Sequence, residues 1–88
     1  MKNKVAVITG GTTGFGKGTS EALARKGVKV VISGRRKEAG ERIVADIRST
    51  GGEAMFTFAD VNDEASVKAL VETAVATYGR LDFAVNNA

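Results

Sequence analysis

A buried strand, a glycine turn and a helix start follow one another within the first 26 residues. Val5-Ala6-Val7-Ile8 is an apolar run without polar alternation, the pattern of a strand covered on both faces. It ends in Thr9-Gly10-Gly11-Thr12-Thr13-Gly14-Phe15-Gly16, and a helix-forming stretch, Thr19-Ser20-Glu21-Ala22-Leu23-Ala24, comes next. Glycine permits backbone angles and close approaches that a Cβ would block. The free N–H groups of a helix start face such a turn, and the helix dipole favours an anion there. The unit therefore reads as a strand–turn–helix crossover with a phosphate cradle at its bend. A tight turn with no ligand is the alternative, since Gly10, Gly14 and Gly16 form G-x-x-x-G-x-G rather than the commoner G-x-G-x-x-G.

The rest of the chain repeats the alternation. Residues 4–9 read as the first strand and 15–26 as a helix ended by Gly27. Val28-Lys29-Val30-Val31-Ile32 is a second strand. Residues 37–49 are helical, with Ala39, Ile43 and Ile47 at i+4 spacing, and Gly51-Gly52 stops them. Residues 54–59 make a third strand. Val67, Leu70, Val71, Ala74, Val75 and Tyr78 then trace one apolar helix face, and Tyr78 reads as core. Asn62 is the expected N-cap, with Asp63 and Glu64 against the positive helix end. Gly79 ends that helix, and residues 81–86 read as an interior fourth strand. Alternation at this spacing implies a parallel sheet with right-handed crossovers. The expected fold is α/β, a Rossmann-type doubly wound sheet in strand order 3-2-1-4 with three helices on its two faces. Strands 1 and 4 flank the switch point at which such sheets take ligands.

Charge is unevenly distributed. Residues 1–37 carry nine bases and one acid, and residues 38–88 carry four bases and nine acids. The basic part holds the glycine turn, so a phosphate-bearing small molecule is the expected partner. Nucleic acid is not expected, because the chain has no aromatic stacking platform or recognition-helix signature. Cysteine and histidine are absent, which removes disulfides, thiolate zinc sites and imidazole chemistry, and no metal site is expected. No apolar run approaches the roughly 20 residues that cross a bilayer. Met1-Lys2-Asn3-Lys4 leads into a strand without a signal-peptide core, so a soluble, cytoplasmic chain is expected.

A second phosphate motif overlaps the first. Gly11 to Lys17 fits the first seven positions of the P-loop, G-x-x-x-x-G-K. The eighth, a Ser or Thr for Mg²⁺, is Gly18 here, with Thr19 one place late, so a P-loop NTPase is the weaker alternative. At the end of the second strand, where NAD-binding proteins place an acid for the ribose, stand Gly34-Arg35-Arg36-Lys37. Guanidinium groups can grip a 2′-phosphate, although a solvated basic loop has the same composition. Asp60-Val61 ends the third strand. A carboxylate there could accept from an adenine amine while Val61 lines the ring, or Asp60 could lead a turn into the next helix. Asn86-Asn87 closes the fourth strand, where amides can tie strand ends and approach a ribose.

Taken together, these residues resemble the short-chain dehydrogenase/reductase family over the whole chain. Thr9-Gly10-x-x-x-Gly14-x-Gly16 looks like that family's cofactor turn, Asp60-Val61 like its adenine-contacting pair, and Asn86-Asn87-Ala88 like the start of its Asn-Asn-Ala-Gly element. The resemblance implies that Gly10, Thr12, Thr13, Gly14, Phe15 and Gly16 hold a pyrophosphate and that Asn87 lies by the nicotinamide ribose. Arg35 and Arg36 look like the basic residues of NADP-preferring members. Phe15 stands where a branched aliphatic residue is usual. Gly18 replaces the usual Ala at a cost of about 1 kcal/mol of helix stability. The family's catalytic Ser, Tyr and Lys, with a helical Asn, lie past residue 88, and no catalytic residue is expected within the chain.

The expected function is the NADP(H)-binding, N-terminal part of an oxidoreductase that moves hydride between nicotinamide and an alcohol or ketone, with NAD(H) as a second possible cofactor. The alternative is a non-catalytic nucleotide-binding or folding fragment. Alone, the 88 residues are expected to be inactive. The parent is expected to be a homo-oligomer that contacts no membrane.

Overall fold

The computed structural model describes residues 3–10 and 14–86. Thr12, Thr13 and Asn87 among the expected site residues lie outside them. The elements run β1 (Val5–Thr9), α1 (Gly14–Arg25), β2 (Lys29–Gly34), α2 (Lys37–Ser49), β3 (Ala54–Phe58), α3 (Glu64–Tyr78) and β4 (Phe83–Asn86). The strands form one parallel sheet in the order β3-β2-β1-β4. This is the doubly wound α/β arrangement that the alternation predicted.

Strand side chains alternate between faces, and that alternation divides the core in two. Ala6 and Ile8 of β1, with Val30 and Ile32 of β2, pack against Ile43, Val44 and Ile47 of α2 and Leu23 and Ala24 of α1. Val7 and Val31 point the other way, onto Leu70 and Ala74 of α3. Both faces of the two central strands are therefore covered, which explains their unbroken apolar sequence. Gly40 lets α2 approach the sheet, since a Cβ there would run into the Phe56 ring of β3. Tyr78 packs at the edge of the α3 core, as its spacing predicted. Lys29 Nζ lies 5.6 Å from its ring centroid. Burial, and then the nearby Glu53 carboxylate, push the Tyr78 phenol above its ordinary pKa.

The structure differs from the sequence reading in four places. The N-cap of α3 is Asp63, not Asn62. The chain is still turning at residue 62, where the Asn62 N–H donates to Asp60 Oδ1 (3.0 Å). Asp63 is extended, and its carboxylate accepts from the Ala65 N–H (3.0 Å). Secondly, β4 begins at Phe83 rather than Leu81. The Asp82 carboxylate takes the Val5 N–H (2.8 Å), so a side chain stands where a strand carbonyl would bond. Thirdly, β2 is Lys29–Gly34, later at both ends than the run read at 28–32. Strand β4 lies at the sheet edge, as the order 3-2-1-4 places it, paired with β1 and with Phe83 37% exposed. Fourthly, Val71 and Val75 on the expected buried face of α3 are exposed, at 38% and 43%.

Among the described residues no helix is long and apolar enough to cross a membrane.

Candidate cofactor site

In a parallel sheet every strand delivers its C-terminal end to the same edge. Thr9-Gly10, Gly34-Arg35-Arg36, Asp60-Val61 and Asn86 therefore converge. Gly10 has φ 68°, in the left-handed region that a side chain disfavours, so the chain can leave β1 sharply there. The Thr9 hydroxyl lies 3.2 Å from the Val85 carbonyl and 3.1 Å from Asn86 Oδ1, and its single proton serves either acceptor. It thus ties the ends of β1 and β4 together, with Asn86 as one acceptor. The hydroxyl's part in that tie had no distinct sequence signal, because Thr is ordinary in a strand. Ser33 performs a similar service between β2 and β1, donating to the Ile8 carbonyl (3.2 Å).

Helix α1 starts at Gly14 with no acidic residue in its first turn. The Ser20 hydroxyl donates to the Gly16 carbonyl (2.7 Å), and both residues are buried against the sheet. Gly14 and Phe15 are exposed, Phe15 at 85%. A Cβ on Gly14 would meet nothing within 4 Å, and Gly14 is absent from the positive-φ glycines. The fold itself does not require glycine at 14. Bare backbone next to open space at a helix start without acids suits an anion from outside the chain.

The second part of the site is a cavity of about 230 Å³ lined by Gly10, Gly34, Arg35, Arg36 and the 59–62 turn. It brings together the basic pair and the Asp60-Val61 pair, which lie on different strand ends. Arg36 occupies the N-cap position of α2 (φ −106°, ψ 91°), and its side chain makes no capping hydrogen bond. The first N–H groups of α2 are left without the usual Ser, Thr or Asp acceptor. Among the described residues the ion pairs are Lys4–Asp82 and Arg80–Asp82, so neither arginine has a carboxylate partner. Asp60 does the turn-leading work that composition left open. Its N–H donates to Ser66 Oγ (2.9 Å) and its carboxylate accepts from Asn62. Asp60 still lines the cavity with one carboxylate oxygen not used in that turn, beside Val61, which is 44% exposed. The donor set is therefore cationic at one end, apolar and acceptor-bearing at the other, and glycine-rich between. It fits a purine nucleotide with additional phosphates.

No three His, Cys, Asp or Glu side chains among the described residues are grouped as metal ligands. A separate groove of about 190 Å³ lies between α1 and α2, floored by Ala24 and Ile47, away from the strand ends.

A glycine turn between strand and helix at the switch point of a 3-2-1-4 sheet is the dinucleotide-binding arrangement of Rossmann folds. The chain belongs to the short chain dehydrogenase family, whose sequence profile matches residues 4–88. It is 46% identical over its full length to an uncharacterized oxidoreductase of Listeria monocytogenes, spanning 36% of that protein. It is 45% identical to the cyclohexanol dehydrogenase of an Acinetobacter strain, again over its full length and 35% of the relative. Among solved structures, the F189W actinorhodin polyketide ketoreductase with NADPH superposes with a TM-score of 0.91 at 34% identity, over 97% of this chain and 33% of that one. The chain thus spans about a third of the length of the proteins it matches.

Proposed function

We propose that these 88 residues are the N-terminal, NADP(H)-binding part of an oxidoreductase that transfers hydride between the nicotinamide and an alcohol or ketone. Family membership supports nicotinamide cofactor binding and an oxidoreductase parent. The preference for NADP(H) over NAD(H) is carried by one observation. Gly34, the last residue of β2, stands where an NAD site places an acid, and it is followed by two exposed arginines that have no carboxylate partner among the described residues and line the cavity.

In this reading the backbone of Gly10, Gly14, Phe15 and Gly16, with Thr12 and Thr13 between them in sequence, holds the pyrophosphate. Arg35 and Arg36 grip the 2′-phosphate, and the uncapped start of α2 adds N–H donors beside them. Asp60 and Val61 take the adenine edge and face, and Asn87 the nicotinamide ribose. The bound cofactor supplies the hydride. The chain's own residues bind and orient it, and the described part offers no proton donor near the nicotinamide end. Tyr78, the one tyrosine, is packed in the α3 core. The parent is read as a homo-oligomer acting on small alcohols or ketones.

Titration calorimetry tests the cofactor choice. NADP(H) is expected to bind the full-length parent at least about tenfold tighter than NAD(H), from one charge-assisted phosphate contact of about 1.5–3 kcal/mol. Arg35→Ala is expected to erase most of that gap. Equal dissociation constants for the two cofactors refute the preference.

A further inference from the structure

Lys17 completes the G-x-x-x-x-G-K spacing that starts at Gly11, and the cofactor reading leaves it without a task. Its place on α1 can be worked out from its neighbours. Gly16 and Ser20 are buried, so their edge of the helix faces the sheet. Glu21 and Ala24 line the groove between α1 and α2, opposite Asp46 and Ile47. Positions i, i+4 and i+7 share one helix stripe, so Lys17 heads the stripe that faces α2. Both helices leave the same sheet edge, because both follow parallel strands. Their first turns therefore stand side by side, with Lys17 on the α2 side of one and Arg36 at the N-cap of the other. A helical Cβ tilts toward the N-terminus, which aims a long side chain at position 17 back toward the strand ends.

Lys17 is exposed and, among the described residues, has no ion-pair partner, not even Glu21 one turn on. Arg35 and Arg36 line the strand-end cavity, and the helix geometry puts Lys17 on the α1 side of it, near the positive ends of two helix dipoles. An anion between the two helix starts would be favoured by the dipoles and by these cations together.

We propose that Lys17 is a third cation of the nucleotide site, standing between the pyrophosphate turn and the 2′-phosphate grip and strengthening the binding of the 2′-phosphorylated cofactor most. The inference rests on the cofactor reading above. It makes Lys17 a specificity-determining residue, with the ammonium of a P-loop-like sequence serving a site that has no magnesium hydroxyl.

Equilibrium dialysis of 2′-phospho-ADP-ribose and of ADP-ribose against the chain tests it without any redox chemistry. A unit charge about 8 Å from a dianion in water corresponds to about fivefold in affinity. Lys17→Gln is therefore expected to weaken 2′-phospho-ADP-ribose about fivefold at low salt and ADP-ribose less. It should also make the salt dependence of binding shallower, and Lys17→Arg should restore both. Arg25→Gln removes an equal charge about 12 Å further along the helix and is expected to weaken either nucleotide by about twofold at most. Circular dichroism melts confirm that each variant is folded. If the wild type binds both nucleotides and Lys17→Gln changes nothing, or changes no more than Arg25→Gln, Lys17 has no such role. If the wild type binds neither, the cofactor reading itself fails, and the role of Lys17 with it.

Discussion

Gly14 and Gly18 sit one turn apart on α1, and a Cβ on either meets open space. Replacing each with Ala should therefore have the same sign for stability and opposite consequences for binding. A Gly→Ala change in a helix gains about 0.5–1 kcal/mol, mostly by restricting the unfolded chain. Gly14 opens the helix, so its gain should fall at the low end. For a domain of this size the gain corresponds to a rise of about 2–8 °C in the unfolding midpoint. Binding separates the two. A methyl group on Gly14 would occupy the space into which the proposed pyrophosphate approaches. Losing one charge-assisted hydrogen bond there costs about 1.5–3 kcal/mol, or roughly 10- to 150-fold in Kd. Gly18 is off the cradle, and Gly18→Ala should leave Kd within about twofold, inside the spread usual for a surface substitution. Thermal melts and NADPH fluorescence titrations on the two variants supply both axes. A Gly14→Ala chain that binds NADPH as tightly as the wild type would show that the nucleotide does not lie against this turn. A destabilised Gly18→Ala chain would show that the helix argument is wrong.

Gly40→Ala should destabilise, because overpacking against the Phe56 ring, at about 1–3 kcal/mol, outweighs the helix gain, and Phe56→Ala in the same chain should reverse the sign. Urea unfolding of the four-variant cycle measures this, and an unchanged sign would contradict the packing. Asp82 is held below the ordinary carboxylate pKa, first by Arg80 and then by the Val5 N–H. Its contribution is thus full above the unfolded value of about 4 and lost as pH falls through the lowered folded value. The unfolding midpoint of Asp82→Asn should depend less steeply on pH in that acid window, and parallel profiles would refute the link. The β4 edge carries no lysine or proline guard, and Phe83 on it is exposed, as are Val71 and Val75 of α3. The 88-residue chain should therefore sediment as an oligomer at micromolar concentration. A monomer with strongly protected Phe83 and Val85 amides would contradict this.

The order of elements was legible because apolar runs mark the strands, apolar periods mark α2 and α3, and a glycine stops each helix. The strand order came with the resemblance to a doubly wound dinucleotide-binding family, since right-handed crossovers alone allow other orders. What escaped the sequence reading were choices between adjacent polar residues. Asn62 and Asp63 are both good caps, and only the Asx turn that uses the Asn62 N–H leaves Asp63 to cap α3. Asp82 looked like an isolated charge on a strand, whereas its carboxylate replaces a backbone acceptor at the start of β1. The exposed face of α3 could not be read either, since period marks which residues are apolar and not whether a neighbour covers them. At the site, the glycines and Arg35-Arg36 were visible as composition. The convergence of Arg36 with Asp60 around one cavity depends on β2 and β3 being neighbours in register, which no local pattern states.

The central claim is that one dinucleotide lies across the C-terminal strand ends, with its adenosine half between the basic pair and Asp60-Val61. An amide chemical-shift titration of the ¹⁵N-labelled chain with NADPH tests it residue by residue. Saturable shifts are expected at Gly10, Gly14, Gly16, Arg36 and Val61, with the amides of the opposite sheet edge, Gly27 and Gly52, unmoved. No saturable shift, or shifts confined to the α1–α2 groove around Ala24 and Ile47, would contradict it.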